Sequence, residues 1–243
     1  MFKRLINLKM ICPMLVVIIT VCALIFCGGT VIDRWGDELY IGATSPNVKE
    51  KIVIIDAGHG GEDCGAIGKN GVYEKDLNLE IANLIGEELS ERGVTVVFTR
   101  TEDKLLYKPE EDIKGIRKIS DLKNRCEIAN RYDGALFISI HMNSFGEEKY
   151  SGLQVYASDN NILSRRIAES IQNTVKSTLQ PTNNRKVKGG RGIYVLENIN
   201  NPAVLIECGF LTNAEECNKL SEKEYQKQLS FAIVCGIIEY IGK

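Results

Sequence analysis

Histidine is scarce: the chain has two in 243 residues, His59 and His141. Any chemistry that needs imidazole therefore falls on this pair. Neither sign of charge dominates, since 30 basic and 32 acidic residues leave a formal net charge of −2. Platforms of interleaved aromatic and basic residues are missing as well, which excludes nucleic acid as the expected partner. There is no internal repeat, so a solenoid is excluded. Cys-x-x-Cys is absent too. Of eight cysteines, Cys12, Cys22 and Cys27 fall in one apolar run, leaving Cys64, Cys126, Cys208, Cys217 and Cys235. Five is an odd number, and a domain of this size needs no covalent staples. Free thiols, mostly buried, are expected.

The one long uncharged run, residues 10–27, follows Lys3, Arg4 and Lys9. Eighteen residues of helix would span about 27 Å, close to the hydrocarbon thickness of a bilayer. The basic flank should stay cytoplasmic and the rest of the chain should lie across the membrane. Residues 1–27 are therefore expected to be an uncleaved membrane anchor or a secretion signal cut near Cys27-Gly28-Gly29. The length of the run and the lack of an Ala-x-Ala site favour the anchor. Without these residues the formal charge becomes −5, because three cations and no acids are removed. Residues 28–50 read as a linker.

From residue 51 onward strand and helix patterns alternate. Strands are expected at 51–56, 94–99, 135–140, 153–156, 193–196 and 203–206. Helices are expected at 76–92, 120–131 and about 161–179, with a charged, irregular insertion at 104–119. Two further helices are expected after the capping-box patterns Thr212-x-x-Glu215 and Ser221-x-x-Glu224. Alternation of this kind predicts a single α/β domain over 51–243, with a mostly parallel mixed sheet flanked by helices on both faces.

Three of the apolar runs end in chemically active residues. Ile52–Asp56 leads into Ala57-Gly58-His59-Gly60-Gly61, Leu136–Ile140 leads into His141-Met142-Asn143-Ser144, and Ala203–Ile206 leads into Glu207. Open parallel sheets bind ligands beyond the C-terminal ends of their strands. Two imidazoles, a ligating carboxylate and a second carboxylate as base are the parts of a hydrolytic zinc centre. The glycine turn is no dinucleotide fingerprint: Gly58-x-Gly60-x-x-Asp63 lacks the third glycine, and no helix is expected to open there. Spacing alone leaves the third ligand open between Glu62 and Glu74. Glu207 follows four apolar residues, where a carboxylate is costly unless paired or functional; it is the candidate general acid–base.

Residues 56–61, Glu74-Lys75-Asp76-Leu77-Asn78-Leu79, Thr99-Arg100-Thr101, Ser139–Ser144 and 202–213 together resemble the zinc-dependent N-acetylmuramoyl-L-alanine amidases of bacterial cell walls. The resemblance runs from about residue 51 to 241. It implies Zn²⁺ held by His59, Glu74 and His141, against Glu62, with Glu207 as the catalytic glutamate. It further implies hydrolysis of the amide joining the lactyl group of N-acetylmuramic acid to L-alanine in peptidoglycan. Asn143 is a candidate for positioning substrate, or else caps its loop. The cluster Arg185, Lys186, Lys188 and Arg191 is a candidate for holding stem-peptide carboxylates, or else is a solvated charge run.

No wall-binding repeat module accompanies the domain. The connection from His141 to the strand at Leu153 is too short for the blocking helix of regulated division amidases. The pattern thus looks most like the germination-specific, spore-cortex branch, whose action precedes muramic δ-lactam formation with a deacetylase. A vegetative wall amidase is the alternative branch. A zinc carboxypeptidase or endopeptidase using Glu62, or a non-catalytic wall-binding subunit, are the rival classes. The expected setting is the wall side of the membrane, in the forespore cortex, with peptidoglycan, the membrane and an accessory protein as partners.

Overall fold

The computed structural model describes residues 51–242. The expected anchor or signal at 1–27 and linker at 28–50 lie outside the described residues, among which no helix is long and apolar enough to cross a membrane. Runs rich in β-branched and aromatic residues form β1 (Ile52–Ala57), β2 (Thr95–Phe98), β3 (Leu136–Asn143), β4 (Gln154–Ala157) and β6 (Ala203–Phe210), and the pair Lys188–Gly189 adds the short β5. Amphipathic segments between them form α1 (Glu74–Glu91), α2 (Arg117–Asn130), α3 (Ile162–Thr178), α4 (Tyr194–Asn198), α5 (Ala214–Ser221) and α6 (Lys223–Ile241). The charged insertion holds a short 3₁₀ turn at Pro109–Glu111 before α2 begins.

The sheet order is β2-β1-β3-β6-β4-β5. The first four strands are mutually parallel, whereas β4 runs against β6 and carries β5 parallel to itself. The expected mostly parallel mixed sheet in a single α/β domain, with helices on both faces, is what is found. All five cysteines among the described residues are free, and Cys126, Cys208 and Cys217 are buried.

Alternate residues of a strand face opposite sides of a sheet. Val53, Ile55 and Ala57 of β1, Leu136, Ile138 and Ile140 of β3, and Val204 and Ile206 of β6 enter the larger core, with apolar residues of α1, α3 and α6. Ile54, Phe137, Ala203 and Leu205 face the smaller core, with Cys126 and Ala129 of α2 and Val195 and Leu196 of α4. By the same alternation Asp56, Ser139, His141 and Glu207 continue that second face toward the C-terminal ends of the strands. This strip of sheet positions the site.

Three local expectations are corrected. Residues 193–196 are not a strand: Gly192 turns the chain at φ +82, and its amide donates to Glu197 Oε1, which starts α4. Burial of Val195 and Leu196 then holds the helix, and the sheet edge is taken instead by Lys188–Gly189. Neither capping box forms. Asn213 caps α5 by accepting from Glu216 N, while Thr212 Oγ1 accepts from Phe145 N. Ser221 is the last residue of α5, its hydroxyl bonded to Cys217 O, and α6 starts without a side-chain cap.

Candidate metal centre

The turn after β1 must reverse direction while passing close to two neighbours. His59 sits at φ +61, the one non-glycine residue with positive φ among the described residues, followed by Gly60 at +140 and Gly61 at +55. Left-handed backbone costs an L-residue of order 1 kcal/mol or more and persists where surroundings impose it. Gly58 serves a different need: a Cβ there would lie 2.2 Å from the His141 ring. Glycine in the turn thus clears space for the imidazole of another strand.

The surroundings that impose the turn are two buried arginines. Arg125 donates to Ala57 O and His59 O, each at 2.7 Å, and pairs with Asp56 at 2.6 Å and Asp121 at 2.7 Å. Arg100 donates to Ala57 O at 2.8 Å, Gly58 O at 2.9 Å and Lys75 O at 3.0 Å. Asp56 also accepts from Thr99 Oγ1 and Ser139 Oγ. Burial works against its charge, but Arg125 and the two hydroxyls hold the Asp56 carboxyl below the usual carboxylate range. Just before the charged insertion, Asp103 accepts from Gly61 N, and Lys75 bridges Asp103 to Gly61 O.

Into this frame α1 brings Glu74 as its first residue, two positions earlier than the periodicity predicts. Its Oε1 lies 3.2 Å from His59 Nε2 and 3.0 Å from His141 Nδ1, and accepts from Met142 N at 3.1 Å. Its Oε2 accepts from Ala66 N at 2.8 Å. Gly65, at φ +65, makes room: a Cβ there would sit 2.5 Å from Glu74 Oε2. The imidazole rings meet edge to face, with centroids 5.0 Å apart. On its far side His59 Nδ1 lies 3.0 Å from Asp63, which Lys118 also contacts. Burial alone would lower the His59 pKa; Asp63 and Glu74 reverse that and raise it to about 9. Burial likewise opposes the Glu74 charge, but both imidazoles hold its carboxyl far below the usual range.

One donor atom each from His59, Glu74 and His141 lie within 4.8 Å of one another. Tetrahedral zinc with ligand bonds of about 2.0–2.1 Å has donors about 3.3–3.4 Å apart. The 3.0 and 3.2 Å separations around Glu74 Oε1 are close to that edge, so the donor set fits zinc in both chemistry and spacing. The carboxylate behind the His59 ring is the outer partner that ligating histidines use to fix their orientation.

Glu207 lies in register with His141 on the adjacent parallel strand. It is not at the end of its strand, as the apolar run alone suggests, because β6 continues to Phe210. Its Oε2 is buried without a hydrogen-bond partner. Burial raises its pKa to about 7, with the nearby imidazoles pulling down and Glu74 pushing up. A carboxyl so placed exchanges a proton near neutral pH.

The other candidates separate. Glu62 is turned outward to Arg117 at 2.6 Å, away from the cluster. Asn143 closes β3, its carbonyl accepting from Leu211 N. Arg191 lies toward the opposite end of the sheet: β4 and β5 run against β6, so Gly189 pairs with Ala157 and Ala157 with Val204. Val204 is three residues, or about 10 Å, from Glu207, and Arg191 is two residues further on. The candidate Arg191 thus follows the end of β5 that lies farther from Glu207. Arg185, at the other end of β5, is bonded to Gln154, the residue opposite Glu207. Reasoning from sequence passed over Arg100, Arg125 and Asp63 as site residues. A charged residue at the buried position of α2 was the available signal for Arg125.

Comparison with known proteins gives consistent results. The family model described as N-acetylmuramoyl-L-alanine amidase matches residues 53–239. The germination-specific N-acetylmuramoyl-L-alanine amidase of Bacillus subtilis is 38% identical over 192 residues, covering 78% of this chain and 79% of that protein. The amidase LytC of the same organism is 33% identical over 198 residues, covering 81% of this chain and 36% of that longer protein. Among solved structures, the CwlD amidase of Clostridioides difficile in complex with the GerS lipoprotein superposes with a TM-score of 0.76 at 40% identity. The match covers 79% of this chain and 98% of that one. With its whole folded domain matched, the chain belongs to the N-acetylmuramoyl-L-alanine amidase family and is a peptidoglycan amidase.

Proposed function

We propose that the amidase is zinc-dependent, that His59, Glu74 and His141 hold the ion, and that Glu207 moves the protons. The observation that carries this reading is the convergence of two imidazoles on one carboxylate oxygen, beside a buried acid with a free oxygen. Bound zinc supplies Lewis acidity to the scissile carbonyl and to the attacking water. Glu207 Oε2 takes a proton as water attacks the lactyl carbonyl and returns it to the alanine nitrogen as the C–N bond breaks. A pKa near 7 suits both halves of that exchange. Arg100 and Arg125 keep the His59 turn rigid, so the cradle needs little reorganisation.

The proposed setting is maturation of spore cortex, upstream of δ-lactam formation with a deacetylase. The 38% identical germination-specific relative and the CwlD neighbour support it. Residues 1–27 are proposed to anchor the chain or direct its export, with 28–50 as tether and 51–243 as the catalytic domain on the wall side. An accessory protein is proposed because the CwlD neighbour was solved with a lipoprotein.

The test is zinc quantification of the purified full chain, alongside mass spectrometry of digested cortex and vegetative wall. Released peptides with a free L-alanine amino terminus are expected; cleavage between amino acids would favour a peptidase instead. Glu207→Ala is expected to keep zinc and lose about 10²–10⁴-fold in turnover. Unchanged turnover would remove Glu207 from the mechanism. Equal action on both wall types would overturn the cortex setting, and full activity with zinc alone would remove the accessory protein.

A further inference from the structure

At the start of β4, whose first residue Gln154 pairs with Glu207, lies a cleft of about 520 Å³. It is walled by the β3–β4 connection, the segment between α3 and β5, α5, and Tyr225 of α6. That volume lies within the range of sites for molecules of a few hundred daltons. The direction of the reaction relates it to the metal cluster. His59 and Glu74 approach from the β1 side, whereas Glu207 stands on β6, and β4 and β5 lie further out in the same direction. The amine that leaves must be next to the acid that protonates it. The peptide half of the substrate therefore extends past Glu207 toward β4, and the sugar half lies on the other side.

Arg185 stands at the entrance to that cleft. Its guanidinium donates to Ser151 O at 2.7 Å and to Gln154 Oε1 at 3.1 Å, and lies over the Phe210 ring at 4.3 Å. Gln154 is itself held by donating to Lys186 O, and it faces Glu207 across the β4–β6 pair. Directly opposed residues have Cβ atoms about 5 Å apart. Behind the ring, Phe210 N and Gly152 N both donate to the buried Glu216 carboxylate, which fixes the platform. The direct contacts of the guanidinium are neutral; the Glu216 carboxylate behind the ring feels its charge but is bonded to the two backbone amides. Arg100 also lacks a carboxylate contact but is fully buried among carbonyls, whereas Arg185 is half-buried, stacked and oriented, and so is open to a carboxylate from outside.

We propose that Arg185 and the cleft behind it form a peptide subsite that binds a carboxylate of the stem peptide on the C-terminal side of L-alanine. This rests on the amidase reading of Glu207. An extended chain advances about 3.3–3.6 Å per residue, so the carboxylate of the residue after L-alanine comes within reach of Arg185. A carboxylate at the end of a short stem can enter the cleft from the same side. Arg185 is thus a specificity residue, acting on substrate binding rather than on the proton transfer.

The experiment compares the full-length protein with Arg185→Ala and Arg185→Lys on three N-acetylmuramoyl peptides. One has all carboxylates free, one has the residue after L-alanine amidated, and one has its C-terminus amidated. Arg185→Ala is expected to raise KM by about 10- to 100-fold on the free substrate, the range for losing a hydrogen bond to a charged group. Its kcat should stay within about 2-fold, zinc content should not change, and Arg185→Lys should recover part of the loss. On the substrate whose amidation removes the recognised group, parent and variant should converge, and this identifies which carboxylate is read. Binding of the released stem peptide, measured by calorimetry, gives a readout independent of turnover and should weaken by the same factor. Equal losses on all three substrates, a fall in kcat alone, or unchanged peptide binding would overturn the subsite. Failure of the parent to release any peptide with a free L-alanine terminus would overturn the amidase reading instead, while the calorimetry still decides the subsite.

Discussion

The two halves of the site are built on opposite plans. On the β1–β3 side polar groups are tied down: Arg125 serves two carboxylates and two carbonyls, Arg100 four carbonyls, and Glu74 both imidazoles and two backbone amides. On the β6 side Glu207 keeps one buried oxygen with no partner, and Arg185, bonded to the Gln154 opposite, has no carboxylate in direct contact. A cradle for an ion must hold its shape before the ion arrives, and buried charges are held by pairing, as at Arg125, or by full hydrogen bonding, as at Arg100. A group that moves protons must be left unsatisfied, which costs stability and is tolerated where it serves chemistry.

This contrast can be broken most severely at Arg125. Arg125→Ala leaves Asp56 and Asp121 buried without their cation, and about 3–5 kcal/mol of stability should be lost. Glu207→Gln, on the other half, should leave stability within about 1 kcal/mol of the parent, because no hydrogen bond of Oε2 is removed. Denaturant titration of the two variants checks both; equal destabilisation would erase the distinction.

Gly58→Ala acts more locally. The added Cβ cannot coexist with the His141 ring at 2.2 Å, so the ring must shift out of register with Glu74. Zinc affinity should fall by about 10- to 100-fold, as for loss of other supporting contacts, with a smaller effect on unfolding. Competition with a chelating dye measures it, and unchanged affinity would mean the ring has slack that the packing does not suggest.

The smallest effect is in the pH dependence. Asp56 has a folded-state pKa depressed below the ordinary value of 3.8. Its contribution to stability is therefore complete above that value and disappears as pH falls through the lowered one. Melting temperatures of metal-free protein between pH 5 and 2 should decline, and Asp56→Asn should flatten the decline. A variant that loses stability in parallel with the parent would show that other carboxylates set the acid limit.

Much of this was legible from residue order. The apolar runs at 52–55, 136–140 and 203–206 mark the central strands, and the scarcity of histidine isolates His59 and His141. Less legible were features that depend on where a segment lands. A Val-Leu pair after Gly192 reads as strand but folds as α4, because burial against the smaller core outweighs a weak local preference. The capping boxes failed for a similar reason: Glu216, four residues after Thr212, is drawn inward by the amides of Phe210 and Gly152.

By itself the residue pattern determined a mostly parallel α/β sheet, the pair of imidazoles, and an acid too expensive to bury without purpose. Local periodicity and composition carry those. Tertiary structure alone decided between Glu62 and Glu74 on physical grounds, by turning one outward to Arg117 and setting the other between two rings. It also set Arg185 against Gln154, the residue paired with Glu207, with Arg191 beyond the other end of β5. That choice follows from β4 and β5 running against β6, and strand direction is set by pairing between distant segments rather than by any residue's own preference.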